Sequence, residues 1–169
     1  MEPILIAEAD EHWAQEFMQM RSCLQDAAQG RLNRIEHIGA TAVPGQPARP
    51  VIDIVATIAP GLEADDVDWC LYGLNFRGVE ESTSYLRPRY GAPTHRVFLV
   101  QSDDPFFEEA LAFRDWLRRN PTDAARYAEL RRYAAPLFAN DAAAYEQAKL
   151  GFFRHVLKLH EEAAALLVD

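Results

Sequence analysis

Between Asp10 and Gly30 the apolar residues Trp13, Phe17, Met20, Leu24 and Ala27 recur at steps of four and three. That spacing lines one face of a helix. Asp10 is placed to cap its first turn and Gly30 to stop it. Two short β-branched segments follow, "RIEHIGA" and "PVIDIVATI", each bounded by Gly or Pro, and both read as strands. Residues 61–74, "GLEADDVDWCLYGL", read as a helix with Leu62, Val67, Leu71 and Leu74 turned inward. "FRGVEE", "SYLRPRY" and "THRVFLVQ" read as strands joined by turns at Gly, Pro and Ser.

The last third changes character. Asp104 is a cap and Pro105 takes the first helical position, ahead of Phe106, Ala110, Phe113 and Leu117 at helical spacing. A second helix is expected from Pro121 to about Phe138. A third begins after Asn140, with Tyr145, Phe152, Val156 and Leu159 on one face. The order is helix, strands with one helix among them, then three helices. It predicts an α+β fold, a small mixed sheet covered by helices. The three C-terminal helices are expected to cover the sheet and one another rather than form a separate bundle. The 169 residues suit one domain, with a strand-rich core at about 31–102 and a helical part at about 103–168.

Composition narrows the function more than the fold. Hydrophobic residues at 49% and charged residues at 25% are ordinary for a globular chain. The net charge of -9 lacks the basic footprint of a nucleic-acid binder. It leaves room for a local basic pocket that takes a small phosphate compound. No apolar run approaches the roughly 20 residues of a membrane span. The opening "MEPILIAEADEHW" has neither the basic start nor the apolar run of a signal peptide. Cys23 and Cys70 belong to no C-x-x-C pair and read as buried free thiols. That suits a reducing compartment, so a cytoplasmic protein is expected.

The chemistry concentrates in "HIGATAVPGQPARPVIDI", from His37 to Ile54. A buried acid without a partner is costly, so Asp53 among Val and Ile asks for an account. It is either a metal ligand or an anchor that accepts loop amides. The Gly39–Gly45 loop is either a phosphate cradle built of amides or an ordinary Gly/Pro turn. Arg49 is a phosphate partner or an edge charge. His37 and His95 lie on separate strands. They converge as acid–base or metal groups, or each is a structural hydrogen-bonding residue. No Cys/His cluster suggests a closed zinc site. Arg87, Arg89 and Arg96 beside His95 are the main local concentration of positive charge.

These residues resemble the signature of the GrpB family: a glycine, a small residue, "TAVPG", a basic residue with Pro, and an apolar strand holding Asp. The resemblance continues through "FRDWL", "NPTDAARYAEL" and "DAAAYEQAKLGF" and covers nearly the whole chain. It implies a nucleotidyltransferase-like fold, that of the DNA polymerase beta superfamily. There a Gly-Ser turn holds triphosphate oxygens, and an Asp-x-Asp pair with a third carboxylate holds two divalent metals for in-line displacement. Here Gly39-Ala40 stands at the turn, and Asp53 follows fourteen residues on. Ala40 lacks the hydroxyl, Val55 replaces the second carboxylate, and "THRVFLV" offers no third, with Phe98 where the family has a second histidine. These departures weigh against ordinary two-metal transfer.

What the resemblance implies is a nucleotide or another phosphorylated small molecule bound at the loop. The ligand contacts would be His37, Gly39, Ala40, Thr41, Arg49 and Arg96. If the chain is an enzyme, it implies nucleotidyl transfer with Asp53 and His95 as the catalytic pair and Mg2+ or Mn2+ on Asp53. Arg114 and Lys149 match family positions and read as salt-bridging residues. Phe106, Phe113, Trp116, Phe152 and Phe153 read as core. Family members also occur fused to dephospho-coenzyme A kinase, which leaves a non-catalytic accessory module as the alternative. A different small-molecule transferase or hydrolase on the same pocket is a third reading.

Overall fold

The computed structural model describes residues 4–90 and 92–166. Helix α1 spans His12–Ala28. The N-cap position is Glu11, one residue after the expected Asp10, whose Oδ1 accepts from the His12 amide at 2.9 Å. The helix ends where Gln29 and Gly30 turn left-handed, at φ 50° and 85°. Its buried stripe is Trp13, Phe17, Met20, Leu24 and Ala28. Cys23 lies beside that stripe, about 100° round the helix from Leu24, and is exposed, contrary to expectation. Cys70 is buried, and both thiols are free.

Five strands form one sheet in the order β1-β2-β5-β4-β3. They are β1 (Leu32–Ile38), β2 (Ile52–Ile58), β3 (Arg77–Gly78), β4 (Ser84–Arg89) and β5 (Ala92–Val100). β2 and β5 run parallel and the other neighbours antiparallel, so the sheet is mixed as expected. β3 is only two residues long because a turn begins at once: the Val79 amide donates to Ser84 O and Glu81 sits at φ 54°. The helix expected over 61–74 is also shorter. Glu63 and Asp66 cap each other's backbone around a 3-10 turn at Ala64–Asp66. Helix α2 then covers only Asp68–Gly73. Val67 and Leu71 are still fully buried, while Leu62 and Leu74 pack at the margin.

Strand alternation divides the side chains between two layers. Ile35, Ile52, Ile54 and Val97 face α1 and α2 in the largest core cluster. Ile38, Val55 and Val100 face the opposite way, onto Phe107 and Ala110 of helix α3 (Pro105–Arg119). Asp104 accepts from the Phe106 amide at 2.9 Å, with Pro105 in the first turn. Helix α4 spans Pro121–Leu137, and helix α5 spans Ala142–Ala165, capped by Asp141. The expected limit of the helical part at 168 falls outside the described residues. A third cluster ties Val43 of the β1–β2 connection to Phe113, Leu117, Tyr127 and Val156. Phe106, Trp116, Phe152 and Phe153 pack against these clusters as half-buried residues. The C-terminal helices therefore cover the sheet and one another. Among the described residues no helix is long and apolar enough to cross a membrane.

Leu71 has no exposed surface, and its truncation leaves a cavity. Leu71→Ala should lower stability by about 2–5 kcal/mol, read from the urea midpoint. Cys23→Ser, on the exposed flank of α1, should change it by less than about 0.5 kcal/mol.

Candidate functional site

The β1–β2 connection begins at Gly39, with φ 70°. A Cβ there would lie 2.8 Å from Asp53 Oδ2, so the turn passes over the carboxylate only as glycine. A 3-10 turn follows at Ala40–Ala42. The amides of Ala42, Val43 and Gln46 donate to carbonyls within the loop, and that of Ala48 donates to Ala7 O. Helical side chains take its carbonyls. Arg114 Nη1 donates to His37 O at 3.0 Å, and Arg118 donates to Ala42 O through Nε at 2.9 Å and Nη2 at 2.7 Å. Arg131 Nη2 donates to Pro47 O. Much of the loop's own polarity is thus spent on the protein.

Above this loop lies a cavity of about 390 Å³, walled by the α3 face of the sheet and by α3, α4 and α5. Its lining is largely apolar, with six charged side chains: Arg49, Arg96, Arg131 and Lys149 against Asp53 and Glu146. Asp53 Oδ1 accepts from Arg96 Nε at 2.8 Å. The pair follows from register, since Asp53 of β2 stands opposite Arg96 of β5. Burial alone would lower the Arg96 pKa, but the adjacent Asp53 carboxylate reverses this and holds it above its ordinary value. Lys149 pairs with Glu146 at 2.7 Å, yet burial keeps its pKa below the usual lysine range. Arg131, only 3% exposed, lies over the Tyr127 ring at 4.5 Å. Its Nε is buried and has no hydrogen-bond partner among the described residues. Arg49 has no carboxylate partner among the described residues. Burial also raises the Tyr145 pKa to about 12, with Arg131 and Arg49 opposing the rise and Glu146 and Asp53 adding to it.

Of the residues singled out by sequence, Gly39, Ala40, Thr41, Arg49, Asp53 and Arg96 line this cavity. His37 and His95 do not. They pair with Ile54 and Ile52, one position out of phase with Asp53, and so lie on the α1 face. The His37 ring stacks on Phe17 at 4.7 Å, and its Nε2 hydrogen-bonds Thr41 Oγ1 at 2.9 Å. The Thr41 hydroxyl is thereby engaged from behind the loop. His95 Nδ1 bonds Thr94 Oγ1 at 2.9 Å. Burial pushes His37 down to about 4, with Asp53 opposing and Arg118 and Arg114 adding to the fall. Burial and Arg87 do the same to His95, also to about 4.

The arginines near His95 disperse. Arg96 enters the cavity, Arg87 donates to Leu74 O on the other face, and Arg89 lies over the Tyr90 ring. Arg114 and Lys149 form the expected salt bridges, Arg114 with Glu36 and Asp115. Sequence reasoning missed that Lys149 also lines the cavity, and it missed Arg131, Tyr145 and Glu146. These sit in ordinary helical patterns, and only their convergence sets them apart.

A family model described as GrpB protein matches residues 3–159. The chain belongs to the GrpB family. A UPF0157 protein of Pseudomonas aeruginosa is 34% identical over 157 residues, covering 86% of this chain; the chain spans only 63% of that relative's length. The glutamate-rich protein GrpB of Alkalihalophilus pseudofirmus is 23% identical, with 91% of this chain and 94% of the relative covered. A dephospho-CoA kinase of Mycolicibacterium paratuberculosis is 28% identical over 90% of this chain, which corresponds to 44% of the kinase. The crystal structure of the conserved protein GrpB from Enterococcus faecalis superimposes with a TM-score of 0.81 at 25% identity. It covers 95% of this chain and 99% of the other. The α+β fold read from sequence is the GrpB fold.

The divalent metal implied by the family's superfamily does not fit the residues present. Such an ion takes several oxygen donors. Asp53 is committed to Arg96 and Glu146 to Lys149. Val55 and Phe98, which share this face with Asp53 and Arg96, supply no donor. Among the described residues no group of three or more His, Cys, Asp or Glu can hold a metal.

Gly39→Ala forces an alanine into φ 70° and a methyl group onto Asp53. It should cost about 2 kcal/mol or more, measured by urea denaturation. Both histidines titrate near 4 in the folded chain and near 6.5 when unfolded. The unfolded state therefore binds more protons between those values, and stability should fall as pH drops from 6.5 toward 4. His37→Gln should flatten that fall, measured by urea midpoints across the window.

Proposed function

We propose that this GrpB family protein binds a nucleotide or another phosphorylated small molecule in the cavity between the β1–β2 loop and the C-terminal helices. The observation that carries this reading is the charge of the cavity. A chain of net charge -9 gathers four cations against two carboxylates there. Among the described residues, two of the cations, Arg49 and Arg131, have no carboxylate partner. Guanidinium groups suit phosphate oxygens by charge and by fork geometry. The apolar remainder of the lining suits the body of an organic phosphate. In this reading Asp53 holds Arg96 in place, while Gly39, Ala40 and Thr41 form the floor. His37 and His95 brace the loop and β5 from the far face and do not touch ligand.

A second reading follows from the kinase relatives. A stretch like this chain makes up under half of a dephospho-CoA kinase. In this reading the chain is a ligand-sensing accessory module to an enzyme of that kind. Both readings place the ligand in the same cavity, and only the first requires no partner protein.

A thermal-shift screen of nucleotides, coenzyme A precursors and phosphosugars tests the binding claim. A ligand at 100 times its Kd adds about 2.7 kcal/mol to stability, or about 5–10 °C in Tm for a chain of this size. Arg96→Gln, which leaves the Asp53 carboxylate uncompensated in the cavity, should abolish most of that shift. No shift with any phosphorylated compound would count against the reading, and a pulldown would then test the accessory module.

A further inference from the structure

The chemistry of a phosphate site requires positive charge, and in the superfamily fold divalent metals on a carboxylate pair supply it. Here the one carboxylate at that place, Asp53, is joined to a guanidinium. Arg96 Nε meets Oδ1 at 2.8 Å, and the Arg96 side chain is held over the Phe98 ring at 4.7 Å. The other oxygen, Oδ2, packs against the turn at Gly39. An ion at Asp53 would have to displace Arg96 and would then gain no further carboxylate from β2 or β5.

The cation surplus lies elsewhere in the cavity. Arg49 follows the loop directly, and Arg131 reaches the same loop from α4 through Pro47 O. Both line the cavity wall with Tyr145, and the bond to Pro47 O brings Arg131 to within two residues of Arg49 along the loop. Arg131 is almost fully buried, stacked on Tyr127, with Nε unsatisfied. A buried cation without a countercharge is costly, and an incoming anion offers that wall one.

We propose that the anionic group of the ligand is bound without a divalent metal, by Arg49 of the β1–β2 connection and Arg131 of α4. Arg96 serves as the built-in counter-cation of Asp53, in the place a metal would otherwise take. The ligand class is an organic phosphate or diphosphate whose apolar body lies toward Phe98, Phe106 and Phe153. This rests on the binding reading above and adds to it the absence of a metal requirement and the identity of the anion wall.

The test is calorimetric titration of the full chain with ATP, ADP and inorganic pyrophosphate, in EDTA and again in Mg2+ and in Mn2+. The expected result is binding in EDTA at least as tight as with either metal. Arg49→Gln should weaken it tenfold or more, and Arg131→Gln should do the same. Arg49 is only half-buried and anchors no loop carbonyl, so its variant should keep the wild-type Tm and circular dichroism even if Arg131→Gln loses stability. Binding seen only with metal and abolished by Asp53→Asn would overturn this inference while leaving the binding reading intact. Metal-free binding unaffected by Arg49→Gln would overturn the assignment of the wall. No binding of any probe in any buffer would overturn both.

Discussion

The structure depends on how the carbonyls of one irregular loop are satisfied. Between β1 and β2 the chain leaves the sheet, and its carbonyls lose their ladder partners. Buried peptide oxygens need donors, and three arginines from two helices provide them, Arg114 to His37 O at the end of β1, and Arg118 to Ala42 O and Arg131 to Pro47 O in the loop. A guanidinium carries five N–H donors in a rigid fork, so one side chain can grip a carbonyl and still meet a carboxylate. Arg114 does so, holding His37 O together with Glu36 and Asp115. These bonds fasten α3 and α4 to β1 and to the loop beside the cavity.

The same device sets the electrostatics of the site. The arginines behind the loop are spent on backbone or salt bridges, and Arg96 is spent on Asp53. Arg49 and Arg131 keep unspent capacity, and both are at the cavity wall. An acidic chain thus carries an interior region of opposite sign. Partial burial strengthens it, because charges in a low-dielectric cleft are poorly screened. The two histidines behind the sheet contribute nothing to that sign, since burial holds them neutral at ordinary pH.

Much of the fold was legible because burial imposes a period. The stripe Trp13–Phe17–Met20–Leu24, the cap Asp104–Pro105 and the start of α4 at Pro121 each express a local rule, and each appears in place. The misses were local rules overridden by neighbours. Glu63 and Asp66 capped a 3-10 turn and delayed α2. Cys23 sat one residue off a stripe that looked wide enough to include it. At the site, the loop, Asp53 and Arg49 were visible because Gly, Pro and a lone acid between apolar strands are locally unusual. The expected pairing of Asp53 with His95 meets a sheet that puts the two on opposite faces. A strand's alternation says which residues share a face, but the face opposite a given residue depends on register with a partner forty residues away. A slip of one exchanges His95 for Arg96.

By itself the sequence determined the element types, the α+β class, the resemblance to GrpB proteins and the loop around Asp53, since all of these are written in spacings of a few residues. Only the tertiary structure decided that Arg96 neutralises Asp53, that the histidines face away, and that Arg131 and Lys149 complete the cavity. Arg131 and Lys149 lie on α4 and α5, far along the chain from β2, and no local period connects them to Asp53. What brings them together is the packing of Phe113, Tyr127 and Val156 against Val43 of the loop. The hydrophobic effect that drives such packing is non-directional, so its partners are chosen by the whole fold.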